Sequence, residues 1–528
     1  LSEQLGPACP SADLVDPTVL ETLRVPPGYQ IDAAGVHRLA ATPDGELRRT
    51  RIAAAPIFIV RRTIDVETGE AKRQVVWRGA GGWTSRIVSR RTILDSRQIL
   101  CLSDLEAPIS SANIVQVVAF LTDFESENAH RFPSVISTSK MGWMRDGSFM
   151  LPDRHITHNE DTSPHVLAAP TGLDNVAKGW VEGGTWEGWI EAVEEIKHYP
   201  YMMISIYAAA AAPLLQVLSM PGFVVDFSGE TSGGKTTALR LAASVWGQST
   251  VNYPTAMYSW DATKVWIERT AGFLCNLPLI LDETKRARHP RMIRDVIYDF
   301  CQGQGRGRGS IEGTQATTSW RTILISSGEG AATSFSEDAG TRARVLSLEG
   351  KPLGHDVVAG GSVSEAVQYM VNDHYGHLGR KMIEYLVGNH SNLDQFREVF
   401  EELRRHYADH AESAVGRRHA AHLALLDLTS RIVHSFGVPR AETDPFLFLV
   451  GAASSAADEA DRPLAAMADV YSWCVTNKSR FFGRHLMERD GITIRVPTMG
   501  WVGTWGEGDD WDMIGILPNV LKRLLRDM

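Results

Sequence analysis

Cysteine is scarce and unpatterned: Cys9, Cys101, Cys275, Cys301 and Cys474 are the five in a chain of 528 residues. The number is odd and no pair stands in CxxC spacing. Neither a disulfide framework nor a zinc ribbon is expected, and a reducing, cytoplasmic compartment is implied. Positive charge is lacking overall. A formal net charge of −10 leaves no global attraction to nucleic acid, so any such contact must come from a local basic patch. No cationic stretch followed by an apolar core opens the chain, so no signal peptide is expected. The one run that could pass for a membrane span, Met202 to Met220, is alanine-rich, carries Pro213 and Gln216, and leads straight into a strand-like segment. A buried core helix is the expectation there, with no membrane partner.

The rest of the composition is that of a globular protein, 44% apolar and 22% charged, and the length calls for two to four domains. The chain is organised around Phe223 to Gly247. A β-branched and aromatic run, Phe223 to Phe227, leads into Gly229-Glu230-Thr231-Ser232-Gly233-Gly234-Lys235-Thr236, a full match to GxxxxGK[ST]. A helical pattern with Leu239, Ala242, Ala243 and Trp246 on one face follows. Gly229, Gly233 and Gly234 let backbone N–H groups turn inward toward an anion, and the helix N-terminus adds partial positive charge. In such a loop Lys235 reaches the β- and γ-phosphates of ATP, the Thr236 hydroxyl sits on Mg²⁺, and Thr237 completes the nucleotide contacts. The bland alternative is a glycine-rich turn with an exposed lysine.

Leu277 to Leu281 is an apolar run that ends in Asp282-Glu283, about 50 residues after Lys235. It reads as a buried parallel strand with its C-terminal end at the ligand edge. Asp282 would hold Mg²⁺ and Glu283 would orient the attacking water; a solvated acidic turn is the alternative. Trp320 to Ser327 is the next strand, and Ser326 and Ser327 fall where motor ATPases carry a γ-phosphate sensor. A plain strand end explains them equally well. Between the two strands, Gly303 to Gly309 (GQGRGRG) is glycine-rich and locally basic, either a pore or DNA-contacting loop or a surface loop without a partner. Arg342 and Arg344 precede a last strand, Val345 to Leu348, and Arg344 is the first choice for an arginine finger reaching a neighbouring subunit.

The expected organisation is a multidomain α/β chain: a β-rich N-terminal domain over residues 1–165, a linker and lead-in helices over 166–220, a P-loop ATPase domain over 221–357, and a helical C-terminal region over 358–528. Ala55 to Val66 and Ala71 to Arg78 form a hairpin, and Asn113 to Phe124 a helix. Arg86, Arg90 and Arg91 make a local basic cluster, expected to be a solvated face, with a nucleic-acid contact as the alternative. Ser364 to Val387, Leu393 to His406, Ala420 to His434 and Pro445 to Ala457 have helical spacing. His374 and His377 stand three apart without a further ligand in view. The end, with Ile492 to Val496 and Ile514 to Arg526, is compatible with a winged-helix-like module.

The ordered set GETSGGKTTALRLAASVWG, WDAT, LPLILDE, GQGRGR, WRTILISSGE and AGTRARV, with MGW at Met141 to Trp143, resembles the helicase-like proteins of bacterial mobile elements, catalogued as domain of unknown function nine-two-seven. Members occur in phages, integrative elements and staphylococcal cassette chromosomes. The resemblance covers roughly residues 25–350. It implies an AAA+ ATPase core akin to the MCM replicative helicases, a homo-hexameric ring around single-stranded or forked DNA, nucleotide chemistry at Lys235, Thr236, Asp282 and Glu283, and a trans arginine in AGTRARV. Two other classes stay open: a P-loop switch or loader-type NTPase without unwinding, and a small-molecule kinase with GQGRGRG as its lid. DNA-stimulated turnover separates the first from the motor, and Glu283 beside Asp282 speaks against the second.

Overall fold

The computed structural model describes all residues except 13, 45, 160–163, 251–253, 308, 311–312, 315–316, 336–338, 412–413, 447–448, 450–461, 484–496, 507–512 and 528. Helices of ten residues or more are numbered below, and strands are numbered throughout.

The N-terminal part holds two sheets. Tyr29–Asp32 (β1), Gly35–Ala41 (β2) and Leu47–Ala53 (β3) form an antiparallel meander. Ile57–Asp65 (β4), Ala71–Gly79 (β5) and Gly82–Ser89 (β6) form a second, to which Ser134–Thr138 (β7) and Val166–Leu167 (β11) add in the order β11-β7-β4-β5-β6. The turn between β4 and β5 is set by Asp65, whose side chain accepts from the Glu67 and Thr68 N–H groups, as expected of a tight acidic turn. Ile114–Glu127 (α1) covers these sheets, and an apolar cluster runs from Leu5 to Phe124, with Ile57, Phe58, Val75, Trp77, Phe120 and Phe124 fully buried. The basic cluster is largely neutralised: Arg86 pairs with Asp174, and Arg90 with Glu125.

Gly142–Trp143 (β8), Phe149–Met150 (β9) and His155–Ile156 (β10) make a small sheet. Met141, Phe149 and Leu151 pack in the same apolar cluster as the central sheet rather than with the N-terminal one. Three two-residue strands cannot enclose a core of their own. The 166–185 stretch, expected to be a linker, carries β11 and a short helix, Asp174–Lys178.

Trp186–Ile196 (α2) and Pro200–Ala211 (α3) come next. Met202 to Ala211 on α3 are buried without exception, the signature of a helix apolar on every side. Pro213 ends its run, and no helix among the described residues is long and apolar enough to cross a membrane.

The central sheet is parallel: Phe223–Ser228 (β12), Tyr258–Ser259 (β13), Leu279–Asp282 (β14), Ile323–Gly328 (β17) and Val345–Glu349 (β18), in the order β13-β14-β17-β12-β18. Numbered by appearance the order is 2-3-4-1-5. β12 and β17 lie between neighbours on both sides and every residue of each is buried, as expected of parallel strands covered on both faces. Lys235–Ser244 (α4), Lys264–Leu274 (α5) and Pro290–Gln302 (α6) connect them. The Thr263 hydroxyl caps α5 by accepting from Trp266 N–H. Pro290 opens α6 and Gly303, at φ 71°, closes it, the usual proline-in, glycine-out asymmetry. Between α6 and β17, Gly309–Ser310 (β15) pairs antiparallel with Gly313–Thr314 (β16), so the basic glycine-rich segment leads into a small β-hairpin. Arg308 lies outside the described residues.

The C-terminal part is helical: Val357–Asp373 (α7), His377–Gly388 (α8), Leu393–Asp409 (α9), Ala414–Ser435 (α10) and Arg462–Thr476 (α11). The single helix expected over Ser364 to Val387 is broken at Gly376, φ 85°. There His374 Nδ1 accepts from Thr185 N–H, and His377 contacts the Gly183 carbonyl and Glu182. Both histidines tie down the segment before α2, and no metal-ligand set gathers around them among the described residues. Phe481–Phe482 (β19), Gly503–Trp505 (β20) and Ile514–Ile516 (β21) with Pro518–Asp527 (α12) form a last small sheet and helix around Phe481, Val502, Trp505 and Val520. The expected strand Ile492 to Val496 and much of the Pro445 to Ala457 helix lie outside the described residues.

Candidate functional site

β12, β14 and β17 are parallel, so their C-terminal ends share one edge. The glycine-rich loop springs from β12 at that edge. Gly229 sits at φ 137°, Ser232 at 63° and Gly234 at 89°. A Cβ on Gly229 would stand 2.7 Å from the Gly350 carbonyl, and one on Gly234 2.7 Å from Leu353 Cγ. Glycine is required at both for conformation and for space. Gly234 is the N-cap of α4 and has no side chain to offer its N–H groups, which leaves the start of the helix open to an anion. Lys235 opens α4 and turns back into the loop, its ammonium donating to the carbonyls of Gly229 at 2.8 Å and Glu230 at 2.6 Å. Glu230, Thr231 and Ser232 are exposed, and Glu230 pairs with Lys351 at 3.3 Å.

The hydroxyl of Thr236 lies 3.4 Å from both carboxylate oxygens of Asp282 at the end of β14. Ser327, on β17, donates from Oγ to Asp282 Oδ1 at 2.5 Å and accepts from the Glu283 N–H at 3.0 Å. One serine therefore sets both acidic residues. Glu283 has φ 64°, a left-handed conformation that a residue with a Cβ adopts only under surrounding constraint. Its carboxylate caps the short 3₁₀ turn Thr284–Arg286 by accepting from Lys285 N–H. Ser326 points to the other face of β17, as strand alternation requires, and accepts from Trp260 Nε1 at 3.1 Å. Of the two serines, Ser327 is at the junction and Ser326 is not.

Thr237 was grouped with the loop by sequence. It is buried, and its hydroxyl is taken by Ser364 Oγ at 2.6 Å and Gln368 Nε2 at 3.1 Å, both on α7. Its side chain thus joins the loop helix to the C-terminal helices. Arg344 is not at this edge. Its carbonyl accepts from Val224 N–H at the start of β12, and its guanidinium lies over the Tyr298 ring, 5.8 Å from the centroid. Five strand residues, roughly 16 Å at about 3.3 Å each, separate that level from the loop, so Arg344 and its own Lys235 occupy opposite ends of the sheet.

Sequence patterns did not single out Asp226. It is fully buried in β12, below the loop, with Oδ2 accepting from Ala332 N–H at 2.7 Å, the Ser326 hydroxyl beside it, and Oδ1 otherwise without a partner among the described residues. Burial pushes its carboxyl up to about 7. Ser228, Thr284 and Ser347 also carry buried hydroxyls without partners among the described residues. An aspartate inside an otherwise apolar parallel strand was the available signal.

A hydroxyl and a carboxylate side by side are hard oxygen donors that suit Mg²⁺, and the ammonium and helix N-terminus suit a phosphate. The family model described as "Domain of unknown function (DUF927)" matches residues 29–320. Among solved structures, the one described as "SCCmec type IV Cch - active helicase" superposes with a TM-score of 0.72 at 18% identity, covering 95% of this chain and 90% of that one. At that identity the likeness speaks to the fold. The apo C-terminal region of NrS-1 aligns at 11% identity over 66% of this chain and 75% of that one, with a TM-score of 0.28, too loose to bear on the argument. No curated protein matches.

Proposed function

This chain belongs to the helicase-like family of mobile elements described as the domain of unknown function nine-two-seven (DUF927), and on that premise we propose that it is an ATP-driven DNA helicase or translocase of a mobile genetic element, built on an AAA+ core that spans residues 221–357. The observation that carries the reading is the junction of Thr236, Asp282, Ser327 and Glu283 beside the glycine-rich loop. The strand order 2-3-4-1-5, which puts the loop strand next to the strand bearing Ser327, supports it.

On this reading the loop N–H groups and Lys235 bind the β- and γ-phosphates of ATP, Lys235 exchanging its two carbonyl contacts for phosphate oxygens. Thr236 and Asp282 would hold Mg²⁺, which neutralises charge on the phosphates. Glu283 orients the attacking water and takes its proton, while Ser327 keeps Asp282 and Glu283 in register. Because Arg344 is at the far end of the sheet from its own loop, it serves a neighbouring copy's γ-phosphate in a ring, and hydrolysis depends on assembly. ATPase and strand separation on forked DNA, measured for the wild type and Lys235→Ala, test the proposal. Both activities are lost in the variant; unwinding that survives rules the motor out.

A further inference from the structure

A polar cavity of about 540 Å³ opens at the opposite edge of the central sheet, where β12, β14 and β17 begin. Gly222, Asn276 and Arg321 border it from just before those strands. Lys140, Trp143 and Arg145 close it from the β7–β9 segment. The root of the β15–β16 hairpin forms the third wall. Gln304 and Ser319, which line the cavity, pair across that root, and Gly305 N–H donates to the Thr318 carbonyl at 2.7 Å.

The charge balance of the cavity is one-sided. Three cations, Lys140, Arg145 and Arg321, face one carboxylate, Glu67, and Lys140 already pairs with it at 3.2 Å. Arg145, exposed at the tip of the turn between β8 and β9, has no ion-pair partner among the described residues, and neither does the half-buried Arg321. Two unpaired guanidinium groups lining one polar cavity from two walls, in a chain of net charge −10, are an arrangement that recognises phosphate oxygens. The backbone points to the same place. Among the described residues five non-glycine residues have positive φ; Ser232 and Glu283 lie at the nucleotide site, and two of the other three, Ser219 and Cys275, border this cavity. Such conformations persist where surrounding structure holds a functional shape.

We propose that this cavity is a nucleic-acid phosphate site, in which Arg145 and Arg321 grip the sugar-phosphate backbone of a DNA strand passing the hairpin root. Asn276 joins the two walls, accepting from Trp143 N–H at 3.0 Å and donating to the Arg321 carbonyl at 3.2 Å. A strand held here is gripped at once by the N-terminal segment and by the loop that leads into β17 and Ser327. The inference rests on the helicase reading for its ligand, and the experiment separates the two.

Binding of fluorescent single-stranded and forked DNA is measured across a salt series for the wild type, Arg145→Ala/Arg321→Ala and Arg145→Lys/Arg321→Lys. For single-stranded DNA each lost phosphate contact removes about 0.7 from the slope of log K against log salt. The alanine pair therefore lowers the slope by about 1.4 and the affinity at least tenfold, whereas the lysine pair keeps most of both. Unchanged affinity and slope in the alanine pair, or equal losses in both pairs, overturn the site while leaving the helicase reading in place. A wild type that binds neither DNA overturns the helicase reading and the site with it. A free phosphate ligand is the other source of this chemistry. A labelled mononucleotide that binds Lys235→Ala and is lost on adding the alanine pair, with DNA affinity unchanged, also overturns the proposal.

Discussion

Ser327→Ala is the sharpest test of how the nucleotide site is held together. Ser327 is 2% exposed and uses one hydroxyl twice, donating to Asp282 Oδ1 and accepting from Glu283 N–H. Alanine fits the same space, so no cavity term enters. A hydrogen bond to a charged group is worth about 1.5–3 kcal/mol, and a stranded N–H adds about 1 kcal/mol. Asp282 and Glu283 are half-exposed, and water replaces part of both losses. The expected destabilisation is roughly 2–3 kcal/mol. If the same loss appears in the transition state, where Asp282 and Glu283 must be set, ATP turnover falls about 30- to 150-fold. Nucleotide affinity changes only a few-fold, because the loop and Lys235 are untouched. Ser327→Thr keeps the hydroxyl and recovers most of the rate. Ser326→Ala loses the bond to Trp260 and the hydroxyl beside Asp226 and costs about 1–2 kcal/mol without the collapse in turnover. Steady-state ATPase, nucleotide titration and denaturant midpoints on the four proteins decide the matter. A Ser327→Ala protein that hydrolyses ATP at the wild-type rate refutes the reasoning.

If Arg344 works in a neighbour's site, Arg344→Ala binds nucleotide but hydrolyses it slowly, and mixing it with equally inactive Lys235→Ala restores part of the activity; a mixture as dead as its parts speaks against a shared site. Gly229→Ala forces a Cβ to 2.7 Å from the Gly350 carbonyl at φ 137° and costs roughly 1–3 kcal/mol, with nucleotide binding lost; an alanine variant with the wild-type midpoint and affinity argues against it. Asp226 has a folded-state pKa near 7, above the usual carboxylate value. Between about pH 4 and 7 the folded chain keeps a proton that the unfolded chain has released, so wild-type stability falls as pH rises through that window. Asp226→Asn removes this component and gains on the wild type by up to about 4 kcal/mol between pH 4 and 8; parallel stability curves for the two proteins contradict the assignment.

Local rules made much of the molecule readable in advance. Glycine at 229 and 234 is demanded by positive φ, a property of a short stretch of chain, whereas the Gly350 and Leu353 atoms that crowd the two positions are distant in sequence. The apolar run of β14 ending in Asp282 and Glu283 and the mostly apolar α3 announce buried elements by composition alone. The β4–β5 hairpin was legible for the same reason, since Asp65 and Gly69 build its turn from neighbours in sequence.

The pairing of distant residues was not readable this way. That Ser327 and not Ser326 meets Asp282 depends on the parallel register of β14 and β17, in which a shift by one residue exchanges the two faces. That Thr237 faces Ser364 and Gln368, that Asp226 is sealed beneath the loop, and that Arg145 and Arg321, 176 residues apart in the chain, line one cavity are consequences of packing. The sequence by itself determined which segments curl, extend or coil, because torsional preference and apolar periodicity act within a few residues. Which side chains meet was decided only in the tertiary structure, because strand order, register and helix docking are chosen by the burial of the whole core.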